Sequence, residues 1–151
     1  MKSLFTSALV SVLVLASSSA YALDARKDCS TLKQVIKDTK VSFKNIAADV
    51  PPMDVDVYPS KLTLTGSNSC RVVLRKNVSS VSWLCVIEDT TVKEVAAFVS
   101  KCISKRETPD QTYQRVGAKV FRLKPQAPAE IVVSELNRAN IALHVKALPK
   151  K

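Results

Sequence analysis

The 151-residue sequence has very few of the residues that build common catalytic sites. Its two glycines, Gly66 and Gly117, cannot form a phosphate-binding loop or a dinucleotide-binding fingerprint, because each needs several glycines at fixed spacing. The single histidine is His144, and no serine lies in the glycine-flanked turn that exposes a hydrolase nucleophile. We therefore expect a protein that is not an enzyme and that uses no cofactor.

Sites for metals and for nucleic acids are also disfavoured, because closely spaced cysteines and aromatic residues are scarce in the sequence. The four cysteines are at least 15 positions apart, whereas structural zinc sites use closely spaced pairs of ligands. Aromatic residues make up 5% of the chain, which leaves few platforms for stacking bases. We expect no metal site and no specific binding of nucleic acid.

The N-terminal segment has the pattern of a secretory signal peptide. Lys2 is followed by an apolar run over residues 3–16, which suits a signal sequence better than a membrane span. Ala20 and Ala22 are small residues at the positions that a signal peptidase reads. We predict that residues 1–22 are removed, with a retained anchor as the alternative, and that residues 23–151 form one periplasmic or secreted domain that does not span a membrane.

An exported chain meets an oxidising compartment, so its four cysteines predict two disulfides. Strands at 70–75 and 80–88 flank the turn 76–79, and a hairpin centred between Asn77 and Val78 places Cys70 opposite Cys85. Cys29 precedes the first predicted helix, and Cys102 lies in the last turn of the second. Antiparallel packing of these helices predicts the pair Cys29–Cys102.

Hydrophobic periodicity predicts an α+β domain. Helices are expected at 30–50, ended by Pro51-Pro52, and at 91–104, with capping boxes at Thr31 and Gln34 and at Thr91 and Glu94. Alternating segments predict strands at 61–65, 70–75, 80–88, 119–123, 130–136 and 141–148, and a polar stretch at 107–114 separates the second helix from the last three strands. The order α-βββ-α-βββ implies a single small domain in which a mainly antiparallel sheet carries both helices on one face.

The alternation within strands indicates which side chains face the core. Trp83 shares the face of Cys85 and is expected to pack beside the hairpin disulfide. On the last predicted strand, Ile141, Leu143 and Val145 are expected to face the core, so His144 is expected to point to the opposite face of the sheet. One rival interpretation is a small envelope enzyme that uses His144 with Glu130 or Glu135, brought near it by hairpin pairing.

The sequence feature that most favours a function is its excess of basic residues. Lysine and arginine number 23 against 13 acidic residues, giving a formal net charge of +10. The residues Lys33, Lys37, Lys40 and Lys44 would form a stripe about 60° wide on a continuous helix, at 100° per residue. Our leading hypothesis is an inhibitor- or immunity-type protein that recognises an acidic protein partner through this stripe. The alternatives are binding to anionic envelope polymers or lipids, and a helix face that is only solvated.

Overall fold

Two helices and seven strands make up the regular structure of the described residues, which in this computed structural model are 23–49, 56–75, 80–103, 109–115, 117–123 and 129–148. The predicted signal peptide and the hairpin turn 76–79 lie outside these ranges. In chain order the elements are α1 (Lys27–Asp38), a short 3₁₀ helix (Thr39–Val41), β1 (Val57–Pro59), β2 (Ser67–Arg75), β3 (Ser80–Glu88), α2 (Val92–Cys102), β4 (Pro109–Arg115), β5 (Ala118–Leu123), β6 (Ala129–Asn137) and β7 (Asn140–Ala147).

The strands form one antiparallel sheet in the order β1-β2-β3-β7-β6-β5-β4. The α+β class, the antiparallel sheet and the placement of both helices on one face are therefore confirmed. Strand β4 was not predicted: it occupies 109–115, largely within the polar stretch, and pairs with β5. Its polar sequence lacks apolar alternation, and at the edge of the sheet its ladder is formed with one neighbour only.

The predicted strand at 61–65 is also wrong, since these residues form a connection between β1 and β2. Backbone hydrogen bonds tie this connection to distant segments: Lys61 N–H donates to the Ile46 carbonyl at 2.7 Å. The Leu64 side chain is buried and Leu62 packs partly against the core. The apolar alternation thus reflects a connection anchored to the core and not a strand.

Helix α1 is shorter than predicted and begins earlier. Thr31 lies inside it, with its hydroxyl donating to the Lys27 carbonyl, so the first predicted capping box is wrong. The Asp24 carboxylate instead accepts the backbone N–H groups of residues 26 and 27. The α-helix ends at Asp38, well before the prolines. A 3₁₀ helix continues the coil to Val41, and Ser42 and Phe43 then reverse the chain with left-handed φ values of 56° and 60°. Phe43 remains buried in this turn, which explains why the apolar periodicity continues past the end of the helix.

Helix α2 begins as predicted. The Thr91 hydroxyl accepts the Glu94 N–H at 3.2 Å, and the Glu94 carboxylate accepts the Thr91 N–H at 2.9 Å. This reciprocal arrangement confirms the second capping box.

The core lies between the helix layer and one face of the sheet. Trp83 is fully buried there, and its indole N–H donates to the Ser60 hydroxyl at 2.9 Å. Both predicted disulfides are confirmed: Cys29–Cys102 links the two helices, and Cys70–Cys85 joins directly opposed residues of β2 and β3. The single small domain thus has one disulfide in its helix layer and one in its sheet.

Candidate functional site

The four lysines of the predicted stripe all lie on the surface of the helix layer. Lys33 and Lys37 are on α1, Lys40 is in the 3₁₀ helix, and Lys44 is in the turn that follows. Because α1 ends at Asp38, only Lys33 and Lys37 share the helix on which the stripe was predicted, and Lys40 and Lys44 reach the surface from the segments that follow. Within the described residues, none of the four has a carboxylate oxygen within 4 Å of its ammonium nitrogen.

Three other basic residues have a carboxylate close to their charge. Lys61 Nζ lies 2.9 Å from Asp49 Oδ2, and Glu130 is shared by Arg122 at 3.1 Å and Lys146 at 3.9 Å. Exposure without a nearby carboxylate of the described residues is not confined to the four lysines, since Lys101 and Arg138 share it. Uncompensated charges of one sign attract an anionic partner over roughly a Debye length, about 8 Å at physiological salt.

The turn that holds Lys44 is fixed by a buried carboxylate. Asp38 is 7% exposed, and its two oxygens accept the backbone N–H and the side-chain amide of Asn45 at 3.2 and 2.6 Å. The Phe43 N–H donates to the Asp38 carbonyl at 3.0 Å. These bonds hold Ser42 and Phe43 in a conformation that side-chain-bearing residues rarely adopt. The position of Lys44 is thus set by buried interactions.

A cleft of about 310 Å³ opens beside this turn, toward β1 and β2. Its lining is mainly apolar and includes Phe43, Lys44, Ala47, Tyr58, Val72 and Leu74. Sequence reasoning missed this cleft, because its walls come from segments about 30 residues apart. Lys44 and Asp49 both line the cleft, so its apolar walls adjoin charges of both signs.

The sheet face away from the helices carries the histidine. His144 lies on this outer face, as predicted, between Leu84 on β3 and Val132 on β6. Glu130 is on the same face, directly opposite Lys146, and its carboxylate is engaged by Lys146 and Arg122. Glu135 is exposed near the β6–β7 turn. The register therefore brings one of the two proposed acids to the face of His144, and that acid is held in ion pairs.

Among the carboxyl groups of the described residues, Asp24 and Glu94 have clearly shifted pKa values, and both lie where a helix begins. Backbone hydrogen bonds from Lys27 and Arg26 lower the pKa of Asp24. A hydrogen bond from the Thr91 side chain, followed by one from the Thr91 backbone, lowers the pKa of Glu94. Each shift is explained by hydrogen bonding at the helix terminus.

The fold and these surfaces define a disulfide-stapled α+β domain, and disulfides fit an exported protein. No family model, curated protein or solved structure matches the chain. Neither α1 nor α2 has the length and hydrophobicity needed to cross a membrane. In the described ranges, no group of three or more His, Cys, Asp or Glu side chains is placed to hold a metal ion.

Proposed function

We propose that this protein is an exported, non-enzymatic binding protein of the inhibitor or immunity type, which recognises an acidic surface of a partner protein. Its binding surface consists of Lys33, Lys37, Lys40 and Lys44. The observation that carries the proposal is that all four lysines are exposed and uncompensated within the described chain.

The cleft beside Lys44 favours a protein partner over a featureless polyanion. Interfaces between proteins combine a few buried apolar anchors with a polar, charged rim. Here the apolar walls of the cleft adjoin Lys44, and the turn between them is fixed by Asp38 and Asn45. A pre-formed surface binds with a smaller loss of conformational entropy.

Export supports the same proposal. The residues 1–22 have the signal-peptide pattern, and the two disulfides suit an oxidising compartment such as the periplasm or the cell exterior.

The test is affinity capture from an envelope extract with the mature, oxidised protein as bait, followed by calorimetry on the purified partner. The variant Lys37/Lys40→Glu should bind more weakly, by up to about 30-fold, because it loses two surface ion pairs of up to about 1 kcal/mol each. The control Lys101/Arg138→Glu makes the same change in net charge at two other exposed positions and should bind like the wild type.

Salt dependence separates this proposal from binding to anionic envelope polymers. A shape-matched protein complex should keep much of its affinity when salt is raised, whereas a polyanion should dissociate as counterions compete. Recovery of polyanions alone, or equal weakening in the two charge variants, would contradict the proposal.

A further inference from the structure

A second groove, of about 490 Å³, lies between α2 and β5. Among the described residues it is lined by Val92, Lys93, Ala96, Ala97, Ser100 and Lys119. Its volume is within the range of about 300–1,000 Å³ that is usual for small-molecule sites. None of the four lysines of the proposed binding surface lines it.

The sequence of α2 creates the space. Val92, Ala96 and Ser100 recur every fourth residue and therefore lie in one row along the helix. Small side chains at 96, 97 and 100 leave room beside the helix. The Ser100 hydroxyl donates to the Ala96 carbonyl at 2.9 Å, so its hydrogen-bonding need is met within the helix. The floor of the groove is consequently apolar in character.

Two cations flank this apolar floor. Lys93 is exposed, and Lys119 is half-buried with its ammonium nitrogen 5.7 Å from the centre of the Phe121 ring. Neither lysine has a carboxylate oxygen of the described residues within 4 Å. The cation–π contact holds the Lys119 charge over the aromatic ring at the groove, where an anion can meet it.

We infer that this groove binds a single-chain anionic amphiphile, with its aliphatic chain along Ala96 and Ala97 and its head group at Lys119. Burial of each methylene group contributes about 0.8 kcal/mol, which a small hydrophilic anion cannot provide. A neutral hydrocarbon of the same length would leave the charge of Lys119 without a counterion. The apolar floor of the groove and the charge of Lys119 together therefore favour a ligand with a carboxylate or phosphate head attached to an alkyl chain. This inference does not rest on the proposed function.

The experiment titrates the mature, oxidised protein with dodecanoate, dodecyl phosphate and dodecanol, each below its aggregation concentration, and follows backbone amide chemical shifts. Both anions should shift the amides of Lys93, Ala97 and Ser100, and dodecanol should bind at least about tenfold more weakly, since it lacks a charge-assisted contact. The tighter of the two anions identifies the head group as that of a free fatty acid or of a phosphorylated lipid.

Three variants make the site assignment specific. Ala97→Trp places a large side chain at an exposed position of the groove and should abolish binding of dodecanoate, while Lys119→Gln should weaken it about tenfold. Lys101→Gln removes an exposed charge of α2 that does not line the groove and should leave binding unchanged. Absent binding, equal affinity for dodecanol, or full binding by the folded Ala97→Trp variant would overturn the inference. The Lys37/Lys40→Glu variant should bind dodecanoate normally, so failure here is distinguishable from failure of the proposed function.

Discussion

Asp28 and Thr65 are 37 positions apart in the chain, yet one carboxylate oxygen of Asp28 accepts both the backbone N–H of Thr65, at 3.0 Å, and its hydroxyl, at 3.2 Å. The other carboxylate oxygen accepts the Asp24 N–H at 2.6 Å. Asp28 is fully buried, and a buried carboxylate is tolerated when its lone pairs are satisfied in this way. This single side chain links the start of α1 to the connection before β2.

Replacement of Asp28 should therefore be costly. In Asp28→Ala, the N–H groups of Asp24 and Thr65 lose their acceptor, and we expect the free energy of unfolding to fall by about 2–3 kcal/mol. Urea unfolding measures this change. The matched control is Asp49→Ala, which removes a carboxylate that is 91% exposed and should cost less than about 0.5 kcal/mol. Similar losses in the two variants would contradict the assigned role of Asp28.

The capping box of α2 gives a second prediction. Thr91→Ala removes the hydroxyl that accepts the Glu94 N–H, and N-cap substitutions of this kind cost about 1 kcal/mol. Thr31→Ala should have a smaller effect, because Thr31 lies inside α1 and its hydroxyl only donates to the preceding turn. The two variants can be compared by thermal or urea unfolding, and an equal loss in both would refute the assignment of the cap.

Glu94 should also make stability depend on pH. Its folded-state pKa is lowered below the ordinary value of 4.5, so the charged form is favoured by folding. Its contribution is fully present above pH 4.5 and is lost as pH falls through the folded pKa. The stability difference between the wild type and Glu94→Gln should shrink as the pH is lowered from 7 toward 3. A difference that stays constant across this range would exclude the linkage.

The two disulfides should contribute unequally. Cys29–Cys102 closes a separation of 73 residues, and Cys70–Cys85 closes one of 15. In the chain-entropy model these loops stabilise the fold by about 4 and about 3 kcal/mol. We expect Cys29/Cys102→Ser to be the less stable of the two double variants in urea. The reverse order would show that effects in the native state outweigh the entropy of the unfolded chain.

Trp83 provides a direct report on the core. It is the sole tryptophan, it is fully buried, and its indole N–H donates a hydrogen bond to the Ser60 hydroxyl. In Ser60→Ala, the indole N–H stays buried without this partner, and we expect a loss of about 1–3 kcal/mol in the free energy of unfolding. Ser80→Ala, which changes a half-buried serine at the start of β3, serves as the control and should lose less. Tryptophan fluorescence follows unfolding in both variants.

The features that were predictable from sequence are those that depend on neighbouring residues. The register of β2 and β3 follows from the distance of Cys70 and Cys85 to one turn, and the start of α2 follows from Thr91 and Glu94. The pairing of Cys29 with Cys102 needed one further assumption, that the two helices pack together. The first two predictions used constraints that the sequence states directly, whereas the third also used this packing assumption.

The errors arose where distant segments decide local structure. The connection at 61–65 resembles a strand, but Asp28 and Ile46 bind its backbone groups. The end of α1 is set by Asp38 and Asn45, and no glycine or proline signals it. The exposure of Lys33 and Lys37 was predictable, because both lie on a helix that the periodicity of the sequence indicates. The cleft beside Lys44 and the groove at Lys119 required the assembled fold, because their walls come from segments that are distant in the sequence.

The position of β7 in the sheet limits when the sheet can be completed as the chain is made. Of the described strands β7 is synthesised last, yet it lies between β3 and β6 and pairs with both, so it joins β1–β3 to β4–β6. Until residues 140–147 are available, the sheet remains two separate halves that lack their common neighbour. The complete sheet therefore cannot form before residues 140–147 are made, however early the other described strands leave the ribosome.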